Sequence, residues 1–188
     1  MEPQTLPKQV RKRIAYYYRL IASEPDFKDA KRSAEYCMNK HNEYEESGGD
    51  GDLLPLRAFY TTSIISYCRP FNSAGQSNVG KVVSLDFENI NKDNRISLEV
   101  HEYILHCRNK MLAHTDVGEL GLEPYVATDL PGGMVIPLSN DPLAPFTAEY
   151  TMKTLDHFAG VYEWCVQARY NLEQTVKQYL PKAPFLNE

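Results

Sequence analysis

Apolar residues recur at steps of three and four through most of the chain, the signature of helices that bury one face. Val10, Ile14, Tyr17 and Ile21 predict a first helix from about Pro7 to Ala22, with Thr5 able to cap it and Pro7 suited to its first turn. Ser23-Glu24-Pro25-Asp26 is expected to break or kink that helix, because proline lacks the N–H the next turn needs. A second helical stretch follows from about Asp26 to Glu46. It ends at Ser47-Gly48-Gly49-Asp50-Gly51, which lacks the Lys-Ser/Thr ending of a phosphate loop and carries acids that repel phosphate.

Leu56, Phe59, Tyr60, Ser63, Ile64 and Tyr67 form an inward stripe on a helix that Asp52 can cap and Pro70 stops after Arg69. Residues 72–84 are polar and read as a loop, with a short helical turn near Leu85 to Asn89. Ser97 opens the next helix, whose pattern persists to about Thr115, with Gly118 just beyond. Residues 117–146 are rich in Gly and Pro. There Tyr125-Val126-Ala127-Thr128 and Met134-Val135-Ile136-Pro137 flank Leu130-Pro131-Gly132-Gly133, which predicts a small β-hairpin inserted on the bundle.

Thr147 starts a final helix reaching Leu180. Its seam is Leu155, Phe158, Tyr162, Cys165, Arg169, Leu172, Val176 and Tyr179. At about 50 Å it is longer than a compact bundle needs, and the surplus suits a partner chain. The expected fold is all-α: an up-and-down bundle of four to five main helices with a small β-hairpin insertion, one domain over residues 1–188.

Composition narrows the class. Hydrophobic residues make up 43% and charged residues 24% of 188, enough for one real core and too balanced for general disorder. No apolar run is long enough to span a membrane, and none follows the basic N-terminus as in a signal peptide, so a cytoplasmic location is expected. Cys37, Cys68, Cys107 and Cys165 fall in different helices, without metal-knuckle spacing, and read as free buried thiols. No metal site and no cofactor are expected.

The net charge of −5 argues against a protein that coats nucleic acid by charge alone. The charge is uneven, however: residues 1–40 carry nine Lys and Arg against five acids, and residues 41–56 carry five acids and no Lys or Arg. A local basic face that meets phosphate and an ordinary solvated helix surface both fit this pattern.

The helix over residues 98–114 carries the candidate chemistry. On a wheel of 100° per residue, Val100, Ile104, Cys107, Met111, Leu112, Leu105 and Leu98 cover one arc. Glu99, Glu102, His106, Asn109 and Lys110 cover the other. Arg108 falls in the middle of the apolar arc, with His101 almost above it. A buried guanidinium costs several kcal/mol unless paired, so Arg108 either meets a carboxylate, lies at a subunit interface, or lines a polar cleft. His114 sits at the margin of the arc, about 120° around and about 9 Å further along the axis. The two side chains cannot touch within one ideal helix, but can work across one cleft or across a twofold axis.

These residue types suit RNA cleavage without a metal. A histidine near neutral pKa takes the proton from a ribose 2′-hydroxyl or gives one to the leaving 5′-oxygen, and an arginine stabilises the charge on the phosphate. Asn109 and Thr115 can orient the scissile phosphate or the histidine, with His101 and Asp116 as further supporting candidates. Lys110 and Arg69 are candidate phosphate contacts. The same residues also fit a structural role, with Arg108 paired to a buried acid and His114 acting as a cation at a helix C-terminus. For Arg69 and Arg169, snorkelling or a salt bridge is the expectation.

The string Arg108-Asn109-Lys110-Met111-Leu112-Ala113-His114-Thr115-Asp116 resembles the Arg-to-His motif of the HEPN ribonuclease-like superfamily. Leu98 to Leu105 and Tyr67-Cys68-Arg69-Pro70-Phe71 also look like bacterial HEPN-like proteins, so the likeness touches roughly residues 53–116. The resemblance implies an all-α bundle that often dimerises and a metal-independent endoribonuclease of a toxin–antitoxin or phage-defence system. Arg108 and His114 would be catalytic and Asn109 supportive. The implied partners are RNA as substrate, a second copy as homodimer, and a protein antitoxin. The superfamily also includes proteins that are not nucleases, so the alternative is a HEPN-like binding or regulatory module whose Arg and His are structural or at a dimer interface.

Overall fold

A computed structural model describes residues 6–48, 54–72, 76–77, 80–81, 84–90, 95–112, 123–127, 134–138 and 148–180. Four α-helices carry the fold: α1 Lys8–Glu46, α2 Leu54–Cys68, α3 Leu98–His106 and α4 Ala148–Val176. A 3₁₀ turn, Arg69–Phe71, extends α2, and another, Phe87–Asn89, precedes α3 where a helical turn is expected. The architecture is an all-α bundle.

α1 is the spine. Along its first half, Ile14 and Tyr17 pack with Val176, the Cys165 thiol donates to the Leu20 carbonyl (3.5 Å), and Phe27 shares the Tyr67 ring with Phe158. Numbers rise along α1 as they fall along α4, so the two helices are antiparallel. Along its second half α1 meets α2 in the same sense. Phe27 faces Tyr67, Tyr36 faces Phe59, and the Cys37 thiol points at the Leu56 carbonyl. Tyr67 against His101 and Tyr60 against Cys107 set α2 antiparallel to α3.

The expected break at Ser23-Glu24-Pro25-Asp26 does not occur. α1 runs through Pro25 as one helix of 39 residues. Pro25 forfeits a hydrogen bond and crowds the preceding turn, at a cost of about 3 kcal/mol. Leu20 and Phe27, one on each side, are both fully buried in the same core cluster. Each contributes about 1.5–3 kcal/mol on burial, which holds the helix together across the proline. The Ser23 hydroxyl donates to the Arg19 carbonyl (2.7 Å) on the same turn.

Two further expectations change. Within residues 72–84, Gln76 pairs with Lys81 and Ser77 with Gly80 in a minimal antiparallel ladder, β1 (Gln76–Ser77) and β2 (Gly80–Lys81). The regular helix expected from Ser97 to Thr115 is α-helical only through His106 and widens to a π-helix over Cys107–Leu112. Strands β3 (Glu123–Ala127) and β4 (Met134–Leu138) pair antiparallel, with Tyr125 opposite Ile136. The rest of residues 117–146 lies outside the described residues.

α4 ends with a 3₁₀ turn, Lys177–Tyr179, and its buried line is offset from the expected seam. Thr154, His157, Phe158, Val161, Cys165 and Val176 are buried, whereas Tyr179 is exposed. No helix among the described residues is long and apolar enough to cross a membrane. All four cysteines are free and buried, and burial raises Cys37 to about 11 and Cys68 and Cys165 to about 12, so these three thiols stay protonated.

Candidate functional site

α3 is fixed at its start and along its buried face by one polar network. Ser97 caps it, its hydroxyl accepting from the Val100 N–H (3.4 Å). The Ser97 backbone N–H donates to Nδ1 of His157 on α4 (3.1 Å), so that nitrogen carries no proton and Nε2 does. His157 Nε2–H then donates to the Tyr67 hydroxyl oxygen (2.7 Å). The Tyr67 proton is left to donate to Nδ1 of His101 (2.8 Å), which fixes His101 with its proton on Nε2. One order of donors satisfies the chain from backbone to His101.

The network is sealed by rings. Phe87 stacks on His101 with centroids 4.0 Å apart and planes 10° from parallel, and Phe71 meets His101 edge-on at 4.6 Å. Phe158, Phe27 and Phe71 surround Tyr67. Burial pushes the His101 pKa down to about 4. Burial first, and His101 second, push His157 down to about 3. Both imidazoles are neutral at pH 7, and burial holds the Tyr67 phenol protonated. His101, a supporting candidate on sequence, therefore positions α3 from inside the core.

The motif residues lie at the other end of that helix. Cys107 is fully buried and receives the Tyr60 hydroxyl (3.9 Å), while the Cys68 thiol points at the Ile104 carbonyl (3.9 Å). Arg108 follows at once, on the first turn of the π-helix, and it is half-buried rather than sunk in the core. Its backbone sits on the apolar arc, but its long side chain carries the guanidinium back toward solvent. Arg108 Nη1 donates to the neighbouring Asn109 side-chain oxygen (2.7 Å), and its charge reaches the Cys68 thiol. Among the described residues no carboxylate pairs with it. Asn109 is exposed. Lys110 lies on the same π-helix; its side chain, and the whole of His114, Thr115 and Asp116, are outside the described residues.

Arg69 and Arg169 behave as ion-pair residues. Arg69 Nη1 meets Asp26 at 3.2 Å with its side chain 60% exposed, and Arg169 holds Glu24 (2.6 Å) and Glu173 (3.2 Å). The arginine that the apolar stripe does bury is Arg19, 7% exposed. Its Nη2 donates to the carbonyls of Arg69 (2.9 Å), Pro70 and Asn72 (3.1 Å), at the negative end of α2. Its Nε is buried without a partner among the described residues. Burial lowers the Arg19 pKa, partly opposed by Asp26.

Sequence reasoning missed Arg19 and His157. His157 has a legible signal, since it steps by four to Val161 and Cys165 on a line parallel to the expected seam. Arg19 has less, because its partners are backbone carbonyls some fifty residues away. Among the described residues no group of three or more His, Cys, Asp or Glu side chains could hold a metal ion. No family model, no curated protein and no solved structure matches this chain.

Proposed function

We propose that this chain is a HEPN-like, metal-independent endoribonuclease in which Arg108 and His114 act on an RNA phosphate. The observation that supports this most is the state of Arg108. It stands half-buried on a widened turn, oriented by Asn109 and free of carboxylate pairing among the described residues, at the end of a helix pinned by His157 and Tyr67. π-turns gather at functional sites, and an arginine with unspent donors is what a phosphate requires.

In this reading Arg108 donates to the non-bridging oxygens and stabilises the charge that builds as the 2′-oxygen attacks phosphorus. His114 takes the 2′-hydroxyl proton or returns one to the departing 5′-oxygen. The P–O5′ bond breaks, leaving a cyclic phosphate and a 5′-hydroxyl. A homodimer brings each Arg108 to a His114 across a twofold axis, and the activity belongs to a toxin–antitoxin or phage-defence system, with a protein antitoxin as the partner in the first case. The protonated free thiols fit a reducing, cytoplasmic compartment.

A second reading, a non-catalytic HEPN-like module, draws support from His101, whose ring nitrogen serves the core. Incubation with bulk RNA in EDTA separates the two. The nuclease reading expects cleavage by the parent protein and its loss in both Arg108→Ala and His114→Ala. Cleavage that persists unchanged in those variants, or is absent from the parent, contradicts it.

A further inference from the structure

We propose that a cleft at the N-terminal end of α1 binds single-stranded RNA, with Lys8, Lys12 and Arg13 on the phosphates and Tyr16 beneath a base. The cleft measures about 540 Å³ and is lined by Lys8, Gln9, Lys12, Arg13, Tyr16 and Leu172. It lies where α1 begins and α4 nears its end, remote in sequence from Arg108. This inference rests on the RNA reading above and names where the strand is held.

Charge is the first argument. The chain carries a net −5, yet among the described residues this lining holds three cations and no carboxylate. Five cations elsewhere on the bundle meet acids, Lys31 with Glu35, Lys40 with Glu43, Arg69 with Asp26, Arg95 with Glu163, and Arg169 with Glu24, whereas among the described residues Arg108 does not. Among the described residues Lys8, Lys12 and Arg13 have no acidic partner.

Shape is the second. Lys8, Lys12 and Tyr16 are four residues apart on one helix face and span about 12 Å, a row suited to successive phosphates rather than to one ion. Tyr16 is half-buried against the main core, which holds its ring in place, and Leu172 supplies an apolar floor. Beneath them Ile14, Tyr17 and Val176 clamp α1 to α4, so the cleft is built into the packed bundle. Cations along a groove with an aromatic platform are what unpaired nucleotides use, whereas a duplex keeps its bases stacked and out of reach.

Fluorescence anisotropy with a short labelled single-stranded RNA tests this, in EDTA and in the His114→Ala background so that the probe stays intact. Lys12→Glu with Arg13→Glu is expected to weaken binding at least about tenfold for every sequence and to flatten the salt dependence. Both side chains are exposed, so the fold should be untouched. Tyr16→Ser is expected to weaken binding with the salt dependence kept. Unchanged affinity in the charge-reversed protein overturns the inference. So does equal binding of duplex RNA, or binding of phosphatidylserine vesicles in place of RNA. RNA bound at this cleft by a parent protein that cleaves none would sink the nuclease reading alone. RNA cleaved by a charge-reversed protein of parental affinity would sink the cleft alone.

Discussion

The two ends of α3 treat their polar residues in opposite ways. At its start, the Ser97 N–H, His157, Tyr67 and Nδ1 of His101 form one chain of hydrogen bonds inside a shell of rings. At its end, Arg108 is half-exposed and has met only Asn109 among the described side chains. A polar group held inside such a chain serves the fold, and one that meets solvent with donors to spare is available to a ligand. Arg19 stands between the two: one of its terminal nitrogens is committed to three carbonyls at the end of α2, while its buried Nε has no partner among the described residues.

The largest effect expected from this difference is acid sensitivity of the sealed end. His101 and His157 stay neutral in the fold down to about pH 4 and about pH 3. In the unfolded chain each takes a proton near pH 6.5. Between those values the unfolded state binds more protons, so stability falls as pH drops below about 6.5 and is unaffected by this pair above it. The slope approaches about 2–3 kcal/mol per pH unit for the two together, to be read from denaturant midpoints between pH 7 and pH 4. A flat profile there would dissolve the contrast.

Tyr67→Phe comes next. It keeps the ring but strips the acceptor of His157 and the donor of His101, leaving two buried nitrogens unsatisfied, at about 2–4 kcal/mol in unfolding free energy. Arg19→Met should cost less, about 1–2 kcal/mol, because the three carbonyls lose a donor while a buried charge is also removed.

Much of the bundle was legible in the sequence because period alone carried it. The stripe of Leu56, Tyr60, Ile64 and Tyr67 is buried, as are Val100, Ile104 and Cys107. Pro25 reads as a break or kink because the local penalty is visible in sequence, while the core contacts that keep the helix continuous across it are not. The site was less legible. A wheel shows which arc a residue starts from and not how far a long side chain reaches, and Arg108 is half-exposed although it starts from the apolar arc. Tyr67 and Arg69 flank the same helix end, yet one is a hub of the core and the other an exposed ion-pair residue. The spacing of His157 to Val161 and Cys165 marks it as buried, but its hydrogen-bonding role emerges only when α4 is laid against α3, since its partners lie 60 and 90 residues away.

The smallest stability effect belongs to Arg108, and it carries the central claim. Melting temperature and RNA cleavage in EDTA should be measured on the same preparations of parent protein and Arg108→Ala. The account predicts a melting shift within about 2 °C, since the side chain is half-exposed and unpaired with acids among the described residues, together with a loss of cleavage of about 100-fold or more. A melting point lowered by much more than that, or cleavage at the parental rate, would place Arg108 with the sealed end and contradict the account.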